Sequence, residues 1–212
     1  MWPAVVFLYL LPLLFASDKG GQYLSEITLF QKDSYFKQKV YEDHTWKSFD
    51  TLKEPNRVVD PAHYDLHLMN AAFFFATNKL REQKNVATLK FSAELRNAAV
   101  VHTHQMVAKN FFEHVNPKTA ALKMPPVRLK LFGVNSTVNG ENIDMNSFPV
   151  PLKVSYLQVA EVLVKDLYNS PPHRKVMLDK NLLYLGCGAI FETKDENNAR
   201  SIRATQDFSG DY

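Results

Sequence analysis

The sequence predicts a single α+β domain in which helices come first and a pair of antiparallel strands comes last. Apolar residues recur every three or four positions within residues 66–111 and 154–168, which indicates amphipathic helices. After Asp179 the pattern becomes that of strands, and no strand-helix-strand rhythm precedes it. The 212 residues, 46% hydrophobic and 22% charged, fit one globular domain and exclude a disordered chain or a multi-span membrane protein.

The N-terminus predicts an export signal over residues 1–17. Residues 4–14 are almost all apolar and no charge occurs before Asp18, yet the run is shorter than the ~20 residues of a membrane-spanning helix. We expect cleavage near Ala16 or Ser17, with a permanent anchor as the alternative. The mature protein is then expected to be secreted, periplasmic or extracellular, without a stable membrane span.

Residues 18–61 are mixed and polar, with single aromatics between charged residues, and predict a loosely structured leader that packs on a domain spanning residues 62–212. The first helix of that domain follows Pro61. Its buried face is predicted from five apolar residues at helical spacing: Leu66, Met69, Phe73, Ala76 and Leu80.

A second helix is expected from the N-cap Ser92 to about Phe111, with His102 on its apolar stripe as a hydrogen-bonded core histidine. Residues 117–150 predict a long connection that includes a helical turn over residues 128–132 and a loop at residues 139–142. Long loops inside compact domains are disproportionately functional, so the connection is a candidate region for a site.

The remaining elements are two helices and a hairpin. A third helix fits Val154 to Tyr168, and Ser170 is the expected N-cap of a short fourth helix. Strands are predicted at residues 185–191 and 202–208, joined by a polar turn through residues 194–198. The single cysteine, Cys187, lies in the first strand and is interpreted as a buried thiol, because one cysteine forms no internal disulfide.

Two histidines and one carboxylate form the candidate site. His114 and His173 lie at helix ends, and Glu141 follows Gly140 in the predicted loop. Such a set is adequate for zinc or another divalent cation with an open position, or for acid-base chemistry. A hydrogen-bonded clamp that joins three chain segments is the alternative. The formal charge of +3 is small and dispersed, so no nucleic acid partner is expected.

These residues lie in motifs that resemble, in order, those of the CAP superfamily of cysteine-rich secretory, antigen 5 and pathogenesis-related type-1 proteins. The resemblance covers roughly residues 66–209 and is strongest to the bacterial SCP-like branch, which lacks disulfides. The motifs are Leu95-Arg96-Asn97-Ala98-Ala99-Val100-Val101-His102, Asn110-Phe111-Phe112-Glu113-His114, Gly140-Glu141-Asn142-Ile143, Asn169-Ser170-Pro171-Pro172-His173-Arg174, Gly186-Cys187-Gly188 and Thr205-Gln206-Asp207-Phe208.

The resemblance implies an α-β-α sandwich with an antiparallel central sheet and helices on both faces. It also implies a cleft in which two histidines and two acidic residues can hold a divalent ion. His114, Glu141 and His173 match three of these positions. Where many members carry a second glutamate, this sequence has Asn169 or Ser170, which lowers the negative charge available to a cation.

Two functions are compatible with this resemblance. The favoured hypothesis is a non-enzymatic secreted module that binds a small or lipid-like ligand or a cell-wall component. The alternative is a metal-dependent hydrolase or peptidase that uses His114, Glu141 and His173. No catalytic residue is assigned under the first hypothesis.

Overall fold

A computed structural model describes residues 20–192 and 199–211. The predicted export signal and the hairpin turn at residues 194–198 lie outside the described residues. No helix in the described chain is long and apolar enough to cross a membrane. The segment before the domain contains four short helices: α1 (Gly21–Ser25), α2 (Val40–Asp43), α3 (Trp46–Phe49) and α4 (Lys53–Asn56).

The leader packs against the main hydrophobic core. Ile27, Val40 and Phe49 are buried within it. The leader is also held by its backbone, because the Arg96 guanidinium donates to the Lys37 carbonyl at 2.6 Å. Residues 20–61 are therefore folded on the domain through both apolar and hydrogen-bonded contacts.

The larger helices lie where hydrophobic periodicity predicts them. Asp65, Ser92 and Ser155 cap three of these helices, each accepting a hydrogen bond from a backbone N–H of the first turn. Ser170 occupies the predicted N-cap position of the last helix, but its side chain makes no capping hydrogen bond. The helices are α5 (Leu66–Gln83), α6 (Ala93–Ala108), α7 (Pro125–Leu131), α8 (Tyr156–Asn169) and α9 (Pro171–Met177).

The four-stranded sheet confirms the α+β class. Its strands are β1 (Lys90–Phe91), β2 (Asn139–Pro149), β3 (Tyr184–Phe191) and β4 (Ala199–Ser209), in the spatial order β1-β3-β4-β2. The pairs β3–β4 and β2–β4 are antiparallel, whereas the two-residue β1 runs parallel to β3.

Helices cover both faces of the sheet. Neighbouring residues of β4 point to opposite sides, so that Thr205 bonds Thr103 of α6 and Gln206 bonds Thr77 of α5. The predicted α-β-α sandwich is therefore correct, with α6 in one outer layer and α5 in the other.

Strand β2 corrects the prediction of a long connection over residues 117–150. The segment predicted as a loop at residues 139–142 is the beginning of this strand, which pairs with β4 from Asn139 opposite Ser209 to Pro149 opposite Ala199. Asparagine and glycine disfavour strands, and polar residues occupy both faces of β2, so the sequence lacks the usual alternation. Pairing with a distant strand, rather than local preference, makes this segment extended.

Two glycines of β3 allow α6 to pack directly on the sheet. A Cβ atom added at Gly186 would lie 1.9 Å from the Arg96 backbone nitrogen, and one at Gly188 would lie 2.6 Å from that of Val100. Cys187, between them, is buried, and burial raises the pKa of its thiol well above the usual range. Its interpretation as a buried thiol is confirmed.

Candidate functional site

The register of β2 and β4 places two sequence motifs side by side. Glu141 lies directly opposite Asp207, and Asn142 lies directly opposite Gln206. Because successive side chains alternate between the faces of a sheet, the two carboxyl groups share the α6 face and the two amides share the α5 face.

The carboxylate of Glu141 is the centre of the arrangement on the α6 face. Its Oε1 atom accepts a hydrogen bond from His114 Nδ1 at 2.8 Å, and its Oε2 atom pairs with the Arg128 guanidinium. The side chain of Glu141 is only 3% exposed, whereas that of His114 is 45% exposed. A buried carboxylate thus orients an accessible imidazole and leaves its Nε2 nitrogen free of Glu141.

Arg128 was not identified as a site residue from the sequence. Its fully buried guanidinium donates to the carbonyl oxygens of Leu122 at 2.8 Å and His114 at 3.0 Å, and it pairs with Glu141. Arg128 comes from the short helix α7. The sequence contains little signal for it, because the same helical turn carries a second cation, the exposed Lys130, and periodicity does not tell which of the two finds buried acceptors.

The two facing carboxyl groups have opposite pKa shifts. Burial raises the pKa of Glu141, but the hydrogen bond from His114 and the charge of Arg128 outweigh it and hold the pKa below the usual value. Burial and the nearby charge of Glu141 raise the pKa of Asp207 well above its usual range. Because the Arg128 guanidinium pairs with Glu141, Glu141 is the carboxyl group that is favoured in the ionised form, and Asp207 is favoured in the protonated form.

Gln206 and Asp207 both pair within the sheet as expected, and only the Gln206 side chain adds hydrogen bonds to other described side chains. Neither oxygen of Asp207 accepts a hydrogen bond from a described residue. The motif Thr205-Gln206-Asp207-Phe208 gives no local sign that Asp207 faces a second carboxyl group, because its cross-strand neighbour Glu141 is distant in the sequence.

His102 is the hydrogen-bonded core histidine predicted from the apolar stripe. It is fully buried, its Nε2 donates to the Glu113 carbonyl at 3.1 Å, and that nitrogen lies 4.0 Å from Glu141 Oε1. Burial lowers the pKa of His102 to about 4. The imidazole is therefore neutral at physiological pH.

A buried polar network on the α5 face anchors the beginning of α9. The Asn142 side-chain amide donates to the His173 carbonyl at 3.2 Å and to Gln206 Oε1 at 3.1 Å. Gln206 donates in turn to Thr77 Oγ1 at 2.7 Å. The residue after Glu141 thus positions the segment that carries the second histidine.

His173 is half-buried, and burial, together with the electrostatic effect of His114, lowers its pKa. Asn169 is the exposed last residue of α8, and Ser170 lies between α8 and α9. In the described chain, no hydrogen bond joins either residue to His114 or Glu141.

The donor set can be compared with the needs of a divalent ion. In the described part of the chain, no group of three or more histidine, cysteine and acidic side chains is placed to hold a metal ion. Both oxygens of Glu141 are engaged, one of them by the cation Arg128. The arrangement fits a three-ligand site poorly. Instead, the carboxylate that is hydrogen-bonded to His114 Nδ1 orients the imidazole. Nε2 is then the ring nitrogen that is available to a ligand.

The depressed pKa of His102 predicts a loss of stability in mild acid. An unfolded histidine titrates near pH 6.5, so the unfolded state binds more protons between about pH 6.5 and 4. This term destabilises the protein by about 3 kcal/mol as the pH falls through that window. His102→Gln, which keeps an amide donor for Glu113, should weaken the pH dependence of the free energy of unfolding, measured with urea at pH 7 and pH 4.5.

Other buried groups also change protonation between about pH 6.5 and 4, but they are present in the wild-type protein and in every variant compared, so they do not affect the difference between them. Burial lowers the pKa of His67 to about 4, which adds to the acid effect, and raises that of Asp144 to about 6, which opposes it. His63→Gln is the matched control, because the His63 side chain is 82% exposed. Equal pH dependence in the wild-type protein and His102→Gln would contradict the prediction.

The fold and the site together define a three-layer sandwich in which a carboxylate from the sheet orients an accessible histidine from the segment after α6, rather than from a helix end as predicted. Residues 74–208 match the sequence pattern of the cysteine-rich secretory protein family, abbreviated CAP, and the chain belongs to this family. The family predicted from the ordered motifs is thereby confirmed.

Relatives with this similarity occur in bacilli. The uncharacterized membrane protein YlbC of Bacillus subtilis is 27% identical over 185 residues, which cover 81% of this chain and 45% of YlbC. The uncharacterized protein YkwD of the same organism is 28% identical over 114 residues, 54% of this chain and 39% of YkwD. The chain therefore spans less than half of each curated relative.

A crystal structure of an extracellular protein containing an SCP domain, from Bacillus anthracis, has the same fold. It superposes with a TM-score of 0.51 at 24% sequence identity, covering 68% of this chain and 41% of that protein. This similarity supports the architecture described above.

Proposed function

We propose that this protein acts outside the cytoplasm as a non-enzymatic module that binds a polar cell-wall component at the surface around His114 and His173. The observation that carries the proposal is the orientation of His114 by the buried carboxylate of Glu141, at 2.8 Å. The fixed imidazole offers one ring nitrogen for hydrogen bonding with a ligand. Cell-wall glycans and peptides carry many matching groups, whereas a lipid-like ligand carries few.

Binding is favoured over hydrolysis by the way the carboxylate is used. Arg128 and His114 each engage one oxygen of Glu141, so this carboxylate is held as an orienting group. The chain's single cysteine, Cys187, is buried and does not serve as an accessible nucleophile. Both features suit a preformed binding surface.

A metal-dependent hydrolase is the second candidate, because a carboxylate bonded to His114 Nδ1 is also the usual outer partner of a metal-binding histidine. His114 and His173 are then the nitrogen donors for zinc or another divalent cation. The bound ion supplies a Lewis acid. The charge of Arg128 beside Glu141 opposes strong cation binding.

The proposed location outside the cytoplasm has two supports. The apolar run at residues 4–14 is typical of an export signal. The related SCP-domain protein of Bacillus anthracis is described as extracellular. YlbC, described as a membrane protein, is compatible with a position at the cell surface.

Cosedimentation with purified bacterial cell walls tests the proposed function. We expect saturable binding that persists in a chelator and weakens at least about tenfold, by roughly 1.4 kcal/mol, in the His114→Ala, His173→Ala double variant. His63→Ala, at an exposed histidine away from this pair, should bind as the wild-type protein does. Equal binding by the double variant would contradict the proposal. Zinc-dependent release of soluble fragments would instead favour the hydrolase.

A further inference from the structure

An open cavity lies at the opposite edge of the sheet from the His114–Glu141 pair. Its volume is about 850 Å³, within the range of roughly 300–1,000 Å³ typical of ligand sites. The leader, α5 and the segment around β1 line this cavity, which we name the leader groove. The leader wall precedes residues 74–208, so this part of the groove is outside the matched family pattern.

The aromatic side chains of the leader groove are held in fixed orientations. The ring of Tyr41 stacks on that of Phe91, with centroids 3.6 Å apart and planes 8° apart. The half-buried Trp46 donates from its indole nitrogen to Glu82, and Lys79 Nζ lies 5.7 Å from its ring centroid. Such preorganised aromatic walls bind a ligand with little loss of side-chain entropy.

The charges that line the leader groove cancel. Its acidic residues are Glu42 and Glu82 and its basic residues are Lys47 and Lys90. Lys47 pairs with Glu82 at 2.9 Å, and Glu42 accepts a hydrogen bond from Gln38 at 3.2 Å. A groove without excess charge of either sign does not attract a polyanion or a fatty carboxylate, and its complement is a neutral ligand.

We propose that the leader groove binds a neutral oligosaccharide, with a sugar ring packed against Trp46 beside the stacked rings of Tyr41 and Phe91. A sugar ring combines apolar C–H faces with a rim of hydroxyl groups. The groove provides the matching surfaces, because aromatic rings alternate with polar side chains such as Gln38, Thr45 and Thr88. Its open shape accommodates a chain of several sugars. This site is separate from the surface around His114 and does not depend on the function proposed for that surface.

Titration of the full-length protein with the tetramer of N-acetylglucosamine tests the inference. The chain has two tryptophans, Trp2 and Trp46, so in Trp2→Phe the fluorescence change reports on the groove alone. We expect a saturable change. In calorimetry, Trp46→Ala should weaken the affinity at least tenfold, whereas Tyr35→Ala, at an exposed aromatic of the leader outside the groove, should not change it.

A second variant tests the groove without altering its buried floor. Thr88 is exposed on the rim, so Thr88→Trp should obstruct the groove and abolish binding while the melting temperature stays the same. Failure of the tetramer to bind the wild-type protein, or wild-type affinity in either Trp46→Ala or Thr88→Trp, would overturn the inference. Loss of binding in His114→Ala would also overturn it, because the sugar would then occupy the surface around His114.

Discussion

Replacing Arg128 with methionine should destabilise the protein by about 3–5 kcal/mol, the usual cost of removing one partner from a buried ion pair. The substitution leaves the Glu141 carboxylate beside the buried Asp207 without its guanidinium partner. Carbonyl oxygens such as that of Leu122 also lose their donor. Urea denaturation at pH 7.5, followed by circular dichroism, measures the loss of unfolding free energy.

The pH dependence identifies the cause of this loss. The pKa of Glu141 is lowered in the folded protein, so its contribution to stability is present above its unfolded pKa and is lost as the pH falls through its folded pKa. The difference between Arg128→Met and wild type should therefore shrink in acid. Arg57→Met is the matched control, because Arg57 forms a partly exposed ion pair with Asp65 at 3.8 Å and lies over the Tyr156 ring at 5.3 Å, without a buried carboxylate partner. Similar losses in the two variants would contradict a special role for Arg128.

Gly186→Ala should destabilise the protein by at least about 3 kcal/mol, at or beyond the upper end of the usual cost of overpacking. The added methyl group would lie 1.9 Å from the backbone nitrogen of Arg96, within the first turns of α6. Backbone atoms of a packed helix do not rotate away, so the whole helix must shift from β3. Glu141 lies on the face of the sheet that α6 covers, so a shift of α6 should also disturb the hydrogen bond between His114 and Glu141.

Gly140→Ala is the control for Gly186→Ala, since its methyl group would meet only the Val176 side chain at short range, with Cγ1 at 2.7 Å. A side-chain rotation relieves that contact, so we expect a loss of less than about 1.5 kcal/mol. Thermal melting and urea denaturation compare the two variants. Equal stability of Gly186→Ala and Gly140→Ala would show that α6 adapts to an added methyl group.

The sequence by itself determined the elements whose burial is local and periodic. The apolar faces of α5, α6 and α8 were predictable because apolar residues recur about every 3.6 positions. The strand with Cys187 was predictable as a short continuous apolar run, and the strand with Phe208 from its alternation. His102 was predictable as a core residue for the same reason. The ordered motifs also indicated the family, and within it His114, Glu141 and His173.

The tertiary structure alone decided how those residues are connected. Strand β2 has little strand preference of its own and becomes extended by pairing with β4. Arg128 and Asp207 affect Glu141 only because separate elements bring them together within the protein. Hydrophobic periodicity indicates which residues are buried. The partner of a buried charge, in contrast, depends on chain segments that meet only after folding.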